Sequence, residues 1–361
     1  MQSRARTALI ILLTLGLLGI FLRQVDLRQV GAETLRANLL PLLLSVVMVL
    51  FTYVVRALRW QYLLAAIGPT HFGTAFRTTV IGFAATVLLP ARAGEVLRPY
   101  LLARREGLNA TAAFATIILE RLLDLITVLA LFAVFVLTAG PGSVSGDPAM
   151  FARVKFGGLT AAGIALAGAI VLFALAGHPD RLGRLALRIE RVLPERLARL
   201  VATFVETFAQ GLAVMRQPGR MAIALVLSVP LWISISASIW LASQAFHITF
   251  PFPASFLVTT VLVVGVAVPT PGAVGGFHLA YQFAVTTFFG VPTDRAVSAA
   301  LLLHAVTFIP VTLAGIAFMA SEGLTLASAQ RIVSEKAPPP PASGGGDGLD
   351  RVPREAPGRV R

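Results

Sequence analysis

Residues 111–138 read TAAFATIILERLLDLITVLALFAVFVLT. The run is apolar along its length except for Glu120, Arg121 and Asp124, which interrupt its middle. A helix of about 20 apolar residues crosses the hydrocarbon of a bilayer, and this segment is longer than that. A charged side chain at the centre of a membrane helix costs roughly 2.5–3.5 kcal/mol even on the most lenient scale. Three of them in one span do not face lipid; they face protein or a wet cavity. Glu120 and Asp124 stand at i and i+4 on one helix face, with Arg121 beside both. One segment therefore decides two points: the chain is an all-α membrane protein, and its helices enclose a polar interior.

The rest of the chain agrees. Apolar residues make up 57% of the 361 residues and charged ones 13%, against roughly 45–50% and about 25% in soluble domains. No single water-soluble core hides so much apolar surface. There are no cysteines, so disulfides and thiol chemistry are excluded. The net charge of +13 suits arginine-bearing loops that orient membrane helices and meet anionic head groups. No basic and aromatic groove pattern points to nucleic acid, and none is expected as a partner. Arg4 and Arg6 precede the apolar residues 8–22 like the front of a secretory signal. The chain continues Phe21-Leu22-Arg23-Gln24 with no small-x-small cleavage site, which predicts a retained signal anchor as the first membrane helix.

Further apolar runs lie near 7–22, 39–58, 74–90, 156–176, 220–246, 254–268, 276–290 and 296–320. Two of them break at Pro and Gly: the first at LPARAGE (89–95), the second at PTPGAVGG (269–276). The segment 177–220 carries Arg181, Arg184, Arg188, Arg191, Arg196, Arg199, Arg216 and Arg220 and is expected inside; FHITFPFP (246–253) carries no Lys or Arg and is expected outside. The basic C-terminal tail and the N-terminus are also expected inside. The signs fit about six full spans, at 7–22, 39–58, 111–138, 156–176, 220–246 and 296–320, plus two broken or re-entrant helical hairpins. The hairpins, about 74–104 and 254–290, then enter from opposite faces, the pattern of an inverted repeat with a substrate site where the breaks meet. Two full crossings in place of each hairpin keep the same parity. The expected organisation is a polytopic transmembrane domain over 1–330 and a disordered basic Pro/Gly-rich tail over 331–361. Within the domain, 178–216 is a cytoplasmic amphipathic segment, with Arg181, Arg184, Arg188 and Arg191 set against Leu182, Leu185, Ile189 and Leu193.

Three clusters could carry chemistry. At the first break stand Arg92, Glu95 and Arg98; residues 95 and 98 share a face one turn apart, and a helix beginning near Gly94 points its N–H groups at the break. Arginine beside a helix N-terminus is a phosphate-binding arrangement; an interfacial ion pair is the plainer alternative. Glu120, Arg121 and Asp124 either line a polar passage or form a structural ion pair with the first cluster. At the second break, Pro271, Gly272, Gly275 and Gly276 free the backbone for close approach, and His278 follows as a titratable or merely hydrogen-bonded group. Arg56 and Arg59, with Trp60 and Tyr62, read as the snorkelling and aromatic anchors of a helix end. No HExxH, GxSxG, Walker loop or metal-spaced carboxylate pair is present. The expectation is accordingly that the chain is not an enzyme and needs no cofactor or metal.

Arg56-x-x-Arg59-Trp60, LLPARAGEVLRPYLL (88–102), ERLLDL (120–125) and PTPGAVGG (269–276), in that order, resemble the lysylphosphatidylglycerol synthase transmembrane-region family of flippase-like membrane proteins. The resemblance covers about 5–325 and implies a multi-helix domain that moves lipids between leaflets. It implies roles for Arg92, Gly94, Glu95, Arg98, Glu120, Arg121, Asp124, Pro269, Pro271, Gly272 and Gly275. Two positions depart from the family pattern: Ala273 stands where a second glycine is usual, and His278 where a glutamate is frequent. A carboxylate attractive to a cationic lipid head is thus missing there, and no soluble aminoacyl-transfer segment is recognisable, so lysyl-lipid synthesis is not expected. The function expected is a lipid transporter or flippase of a bacterial-type inner (plasma) membrane, with both termini cytoplasmic. Its partners would be membrane lipids with a phosphate-bearing head group, and an oligomer is compatible with the sequence. Two alternatives stand beside it: a membrane-embedded transferase on a lipid-linked substrate, and a non-transporting accessory subunit.

Overall fold

The computed structural model describes residues 27–89, 92–139, 217–268 and 270–336, with scattered positions at 16 and between 144 and 167. The span expected at 7–22, most of that at 156–176, the amphipathic segment 178–216 and the tail beyond 336 lie outside the described residues. Among the described residues there is no strand. Four helices among the described residues are long and apolar enough to cross a membrane: α2 (Leu39–Leu64), α5 (Ala110–Thr138), α6 (Pro218–Ala245) and α9 (Thr293–Ser321). They coincide with four of the six expected spans, within three residues at each end except that α2 runs on to Leu64. Asn38 and Asn109 begin α2 and α5 because each side chain accepts a backbone N–H of the first turn, Leu40 N at 3.1 Å and Thr111 N at 2.9 Å. Short helices α1 (Leu27–Leu35) and α10 (Leu326–Lys336) flank the set. The chain is a multi-pass membrane protein.

The two broken runs form two pairs of shorter helices. The first is α3 (Phe72–Leu88) and α4 (Gly94–Glu106); the second is α7 (Ala254–Ala267) and α8 (Gly276–Phe289), with a single 3₁₀ turn, Pro271–Ala273, between them. Their lengths of 17, 13, 14 and 14 residues give about 20–25 Å each at a rise of about 1.5 Å per residue, short of a hydrocarbon layer of about 30 Å.

Polar contacts fix which ends lie together. At one end of the bundle, Asn38 N donates to Ala245 O at 2.8 Å, Arg295 pairs with Glu33 at 3.2 Å, and Phe250 stacks on Phe289. At the other end, Arg105 meets Glu322 at 2.7 Å and His71 meets Glu106 at 3.0 Å. The open ends of the α3/α4 hairpin thus lie at one end of the bundle, and those of the α7/α8 hairpin at the opposite end. Helices α2 and α6 run antiparallel along a seam of hydroxyl pairs, Ser45 with Ser238 at 2.8 Å and Thr52 with Ser234 at 2.7 Å. In a solvent as apolar as the side chains, such bonds and close packing hold helices together.

Each hairpin is pinched by a pair of glycines. A Cβ on Gly94 would fall on the carbonyl oxygen of Gly82, and one on Gly276 on that of Gly265. The close approach draws the two halves of each hairpin together and brings its tip to a point. Gly94→Ala is expected to destabilise the protein by about 1–3 kcal/mol through overpacking, seen as a lower thermal transition in detergent. Gly73→Ala, whose new Cβ meets open space early in α3, should be neutral or stabilising by up to about 1 kcal/mol. Equal behaviour of the two variants would remove the pinch as a structural feature.

Candidate functional site

The end of α2 carries the first surprise. The helix runs to Leu64 rather than stopping near 58, so Arg56 and Arg59 sit well inside it. They were expected as snorkelling anchors; instead they are 5% and 0% exposed. Arg56 lies eight residues from this end of α2, and Glu120 ten residues from the adjoining end of α5, or about 12–15 Å in depth. At that depth the only solvent for a charge is another charge.

Glu120 is the hub. Its Oε1 lies 3.3 Å from Arg56 Nη1, 3.3 Å from Arg59 Nη2 and 3.1 Å from Arg98 Nη1. One turn along α5, Asp124 Oδ1 takes Arg59 Nη1 at 2.7 Å and the indole N–H of Trp232 at 3.0 Å. Arg59 also donates to Ser228 Oγ at 2.8 Å. Trp60 donates its indole N–H to Thr116 Oγ1 and lies under the Arg98 guanidinium, 3.8 Å from ring to Cζ. The i and i+4 spacing of the two carboxylates on α5 meets the i and i+3 spacing of the two arginines on α2, and α4 adds Arg98 from the first hairpin. Glu95 and Arg98, expected to share a face, part company: Arg98 turns inward to Glu120, while Glu95 stays beside Arg92 at 3.8 Å.

The tips of the two hairpins meet next to this network. Arg92, whose φ of 54° puts a non-glycine residue in the left-handed region, donates from Nη2 to Val266 O at 2.6 Å. That carbonyl belongs to the last turn of α7, where helix oxygens lack intrahelical partners. Around the junction lie two adjoining cavities. The smaller, about 160 Å³, is bordered by Arg92, Gly94, Glu95, Arg98, Arg121 and the Thr270–Ala273 stretch. The larger, about 390 Å³, has apolar walls from α5, α6 and α7, with Arg56 and Asp124 on one side. Phe83, Arg92, Arg121, Val266 and Phe308 border both. The combined space is amphipathic, polar at the tips and apolar beyond them.

Of the residues singled out from sequence, Arg92, Glu95, Arg98, Arg121, Asp124, Pro271 and Gly272 border these cavities. Glu120 lies behind them as the counter-charge. Gly276 is spent on the hairpin pinch. His278 lies outside both linings: its Nδ1 accepts the Gly275 N–H at 3.3 Å, and its ring stacks on His304 at 4.6 Å. His304 Nε2 donates to Gly272 O at 2.7 Å, tying the second break to α9. Sequence reasoning missed Trp232, Phe83 and Phe308, which carry no pattern that separates them from any other apolar position. It also set Arg56 and Arg59 aside, although two arginines at i and i+3 complement two carboxylates at i and i+4.

Comparison with known proteins adds two findings. The family model described as Lysylphosphatidylglycerol synthase TM region matches residues 7–315. Among curated proteins, Glycosyltransferase AglD of Haloferax volcanii is 24% identical over 315 residues, covering 80% of this chain and 50% of the relative. The chain thus spans about half the length of the curated relative it matches. That relative bears an enzyme's name, which corrects the expectation drawn from missing enzyme motifs.

Proposed function

Because the chain belongs to the lysylphosphatidylglycerol synthase TM region family, we propose that it carries a lipid or lipid-linked substrate with an anionic head group between the leaflets of a bacterial-type inner membrane. The observation that carries this reading is the meeting of two short helical hairpins from opposite ends of the bundle, tied by Arg92 to Val266 O at 2.6 Å, beside an amphipathic cavity. Read as re-entrant segments in an inverted repeat, the hairpins put their breaks near the midplane, where transporters of this design hold their substrates. Irregular backbone at that depth is tolerated only where protein or a water-filled cavity covers it, and Arg92 and Gly272, from the two breaks, border the smaller cavity. Arg92, Arg98 and Arg121 would receive the head-group phosphate, the larger cavity the first part of the chain, and the Pro/Gly break would hinge. Both termini would be cytoplasmic.

The test is reconstitution of the purified chain into liposomes with fluorescent anionic phospholipid, followed by an impermeant reductant. Quenching past one half is expected, because lipid in the inner leaflet becomes reachable. A second reading, favoured by the glycosyltransferase name of the relative, is transfer of a glycosyl group to a lipid-linked acceptor at the same cavity. Quenching that stops at one half, together with glycolipid formed by the purified chain, would replace the first reading with the second.

A further inference from the structure

The joined cavities are bordered by four guanidinium groups, Arg56, Arg92, Arg98 and Arg121, and by two carboxylates, Glu95 and Asp124. Behind them Arg59 and Glu120, both fully buried, offset each other at 3.3 Å. Counted at the walls or over the whole cluster, two positive charges stand in excess among the described residues. Uncompensated charge at membrane depth is costly, and internal pairing does not remove it. Arg98 is 3% exposed, yet its Nε and Nη2 have no hydrogen-bond partner. Arg98 borders the smaller cavity, and a buried guanidinium left short of partners has donor capacity that an oxygen anion can answer. Arg92 and Arg121, with side chains 39% and 43% exposed, stand on the border of both cavities and face the same space.

Resting on the lipid-handling reading above, we infer that the substrate is a lipid whose head group carries two negative charges, as a phosphomonoester or as a pyrophosphate esterified at both ends. Two charges cancel the excess at the walls. The single charge of a phosphodiester leaves one arginine unanswered, and a zwitterion leaves both. The apolar walls of the larger cavity, from Val128, Ile235, Ile239, Leu262 and Val263, match the chain of a lipid and give a free phosphate nothing to fill. Discrimination is therefore by charge count at the tips and by chain in the cavity beyond.

Two of the three tryptophans stand in the cluster, Trp60 against Arg98 and Trp232 against Asp124, so intrinsic fluorescence reports on it. The full chain in phosphatidylcholine nanodiscs would be titrated with dioctanoyl phosphatidic acid, dioctanoyl phosphatidylglycerol and glycerol phosphate. At pH 8 the phosphatidic acid should half-saturate at a concentration at least tenfold below the other two. Its binding should tighten between pH 5 and 8, as a phosphomonoester loses its second proton near pH 6 (pKa about 6), while that of phosphatidylglycerol stays flat. Arg121→Gln, which removes one excess charge, should shrink the preference at least threefold; Glu95→Gln, which adds one, should keep or raise it. Each preference is a ratio within one protein, so loss of stability in a variant does not imitate the effect. Affinities within twofold of each other, or a flat pH profile for phosphatidic acid, would overturn the charge assignment; glycerol phosphate binding as tightly would overturn the lipid. Preference for the dianion without lipid movement in liposomes would sink transport and leave this inference standing. Movement of phosphatidylglycerol and phosphatidylcholine with no such preference would do the reverse.

Discussion

Glu120→Gln is expected to destabilise the folded protein by about 3–5 kcal/mol, the usual cost of removing one partner from a buried ion cluster. Glutamine has nearly the same volume, so packing is not what changes. What changes is that Arg56, Arg59 and Arg98, each within 3.3 Å of one carboxylate oxygen, face one another with only Asp124 to answer them. The groups have no water to turn to, since Glu120 is fully buried and Arg98 nearly so. The loss should appear as a lower thermal transition and a smaller monodisperse fraction in detergent. Adding Arg98→Met to the same chain should recover part of it, because one orphaned cation goes with the carboxylate and an apolar stem remains against Trp60. Such non-additivity is the signature of direct coupling. A Glu120→Gln protein as stable as the parent, or a double variant no better than the single, would mean that the cluster does not hold the helices together.

The long helices were legible in the sequence because an apolar run of about 20 residues in lipid has one way to satisfy its backbone. The hairpin breaks were legible for a related reason: Pro269 to Gly276 and Pro90 to Gly94 cannot continue a helix, whatever surrounds them. Charge pairing was only half legible. The spacing of Glu120 and Asp124 placed both on one face of α5, but their partners lie on α2 and α4, and nothing local says which helices will be neighbours. Arg56 and Arg59 show the difficulty best. Arginine next to tryptophan near the end of an apolar run has the look of an interfacial anchor, and the true helix end, six residues further on at Leu64, is marked by no charge. The ties from Arg92 to Val266 and from His304 to Gly272 join residues far apart in the chain and were invisible for the same reason. Motif search finds contiguous signatures, whereas the charged residues of this site come from α2, α4, α5 and the break before α4.

Arg92→Ala is expected to cut lipid movement in liposomes by about 10–150-fold while leaving the protein folded. Among the described residues, Arg92 carries a side-chain hydrogen bond between the tips of the two hairpins and also borders both cavities. A hydrogen bond involving a charged group contributes about 1.5–3 kcal/mol, and each 1.36 kcal/mol off or on a barrier is about tenfold in rate. Stability should fall by no more than about 1.5–3 kcal/mol, the share of the bond to Val266 O, because the pair with Glu95 is half-exposed and exposed charge pairs hold little energy. Alanine is also no worse suited than arginine to the φ of 54° at this position, so the backbone does not contribute to the difference. Arg92→Lys keeps the charge but loses the planar fork that could hold Val266 O and a phosphate oxygen together; its rate should fall between the two. That ordering separates a recognition role from a bulk electrostatic one, since a purely electrostatic arginine would be replaced by lysine without loss. Transport at the parental rate in Arg92→Ala would place the substrate path elsewhere in the bundle, and the junction of the hairpin tips would then be a structural contact alone.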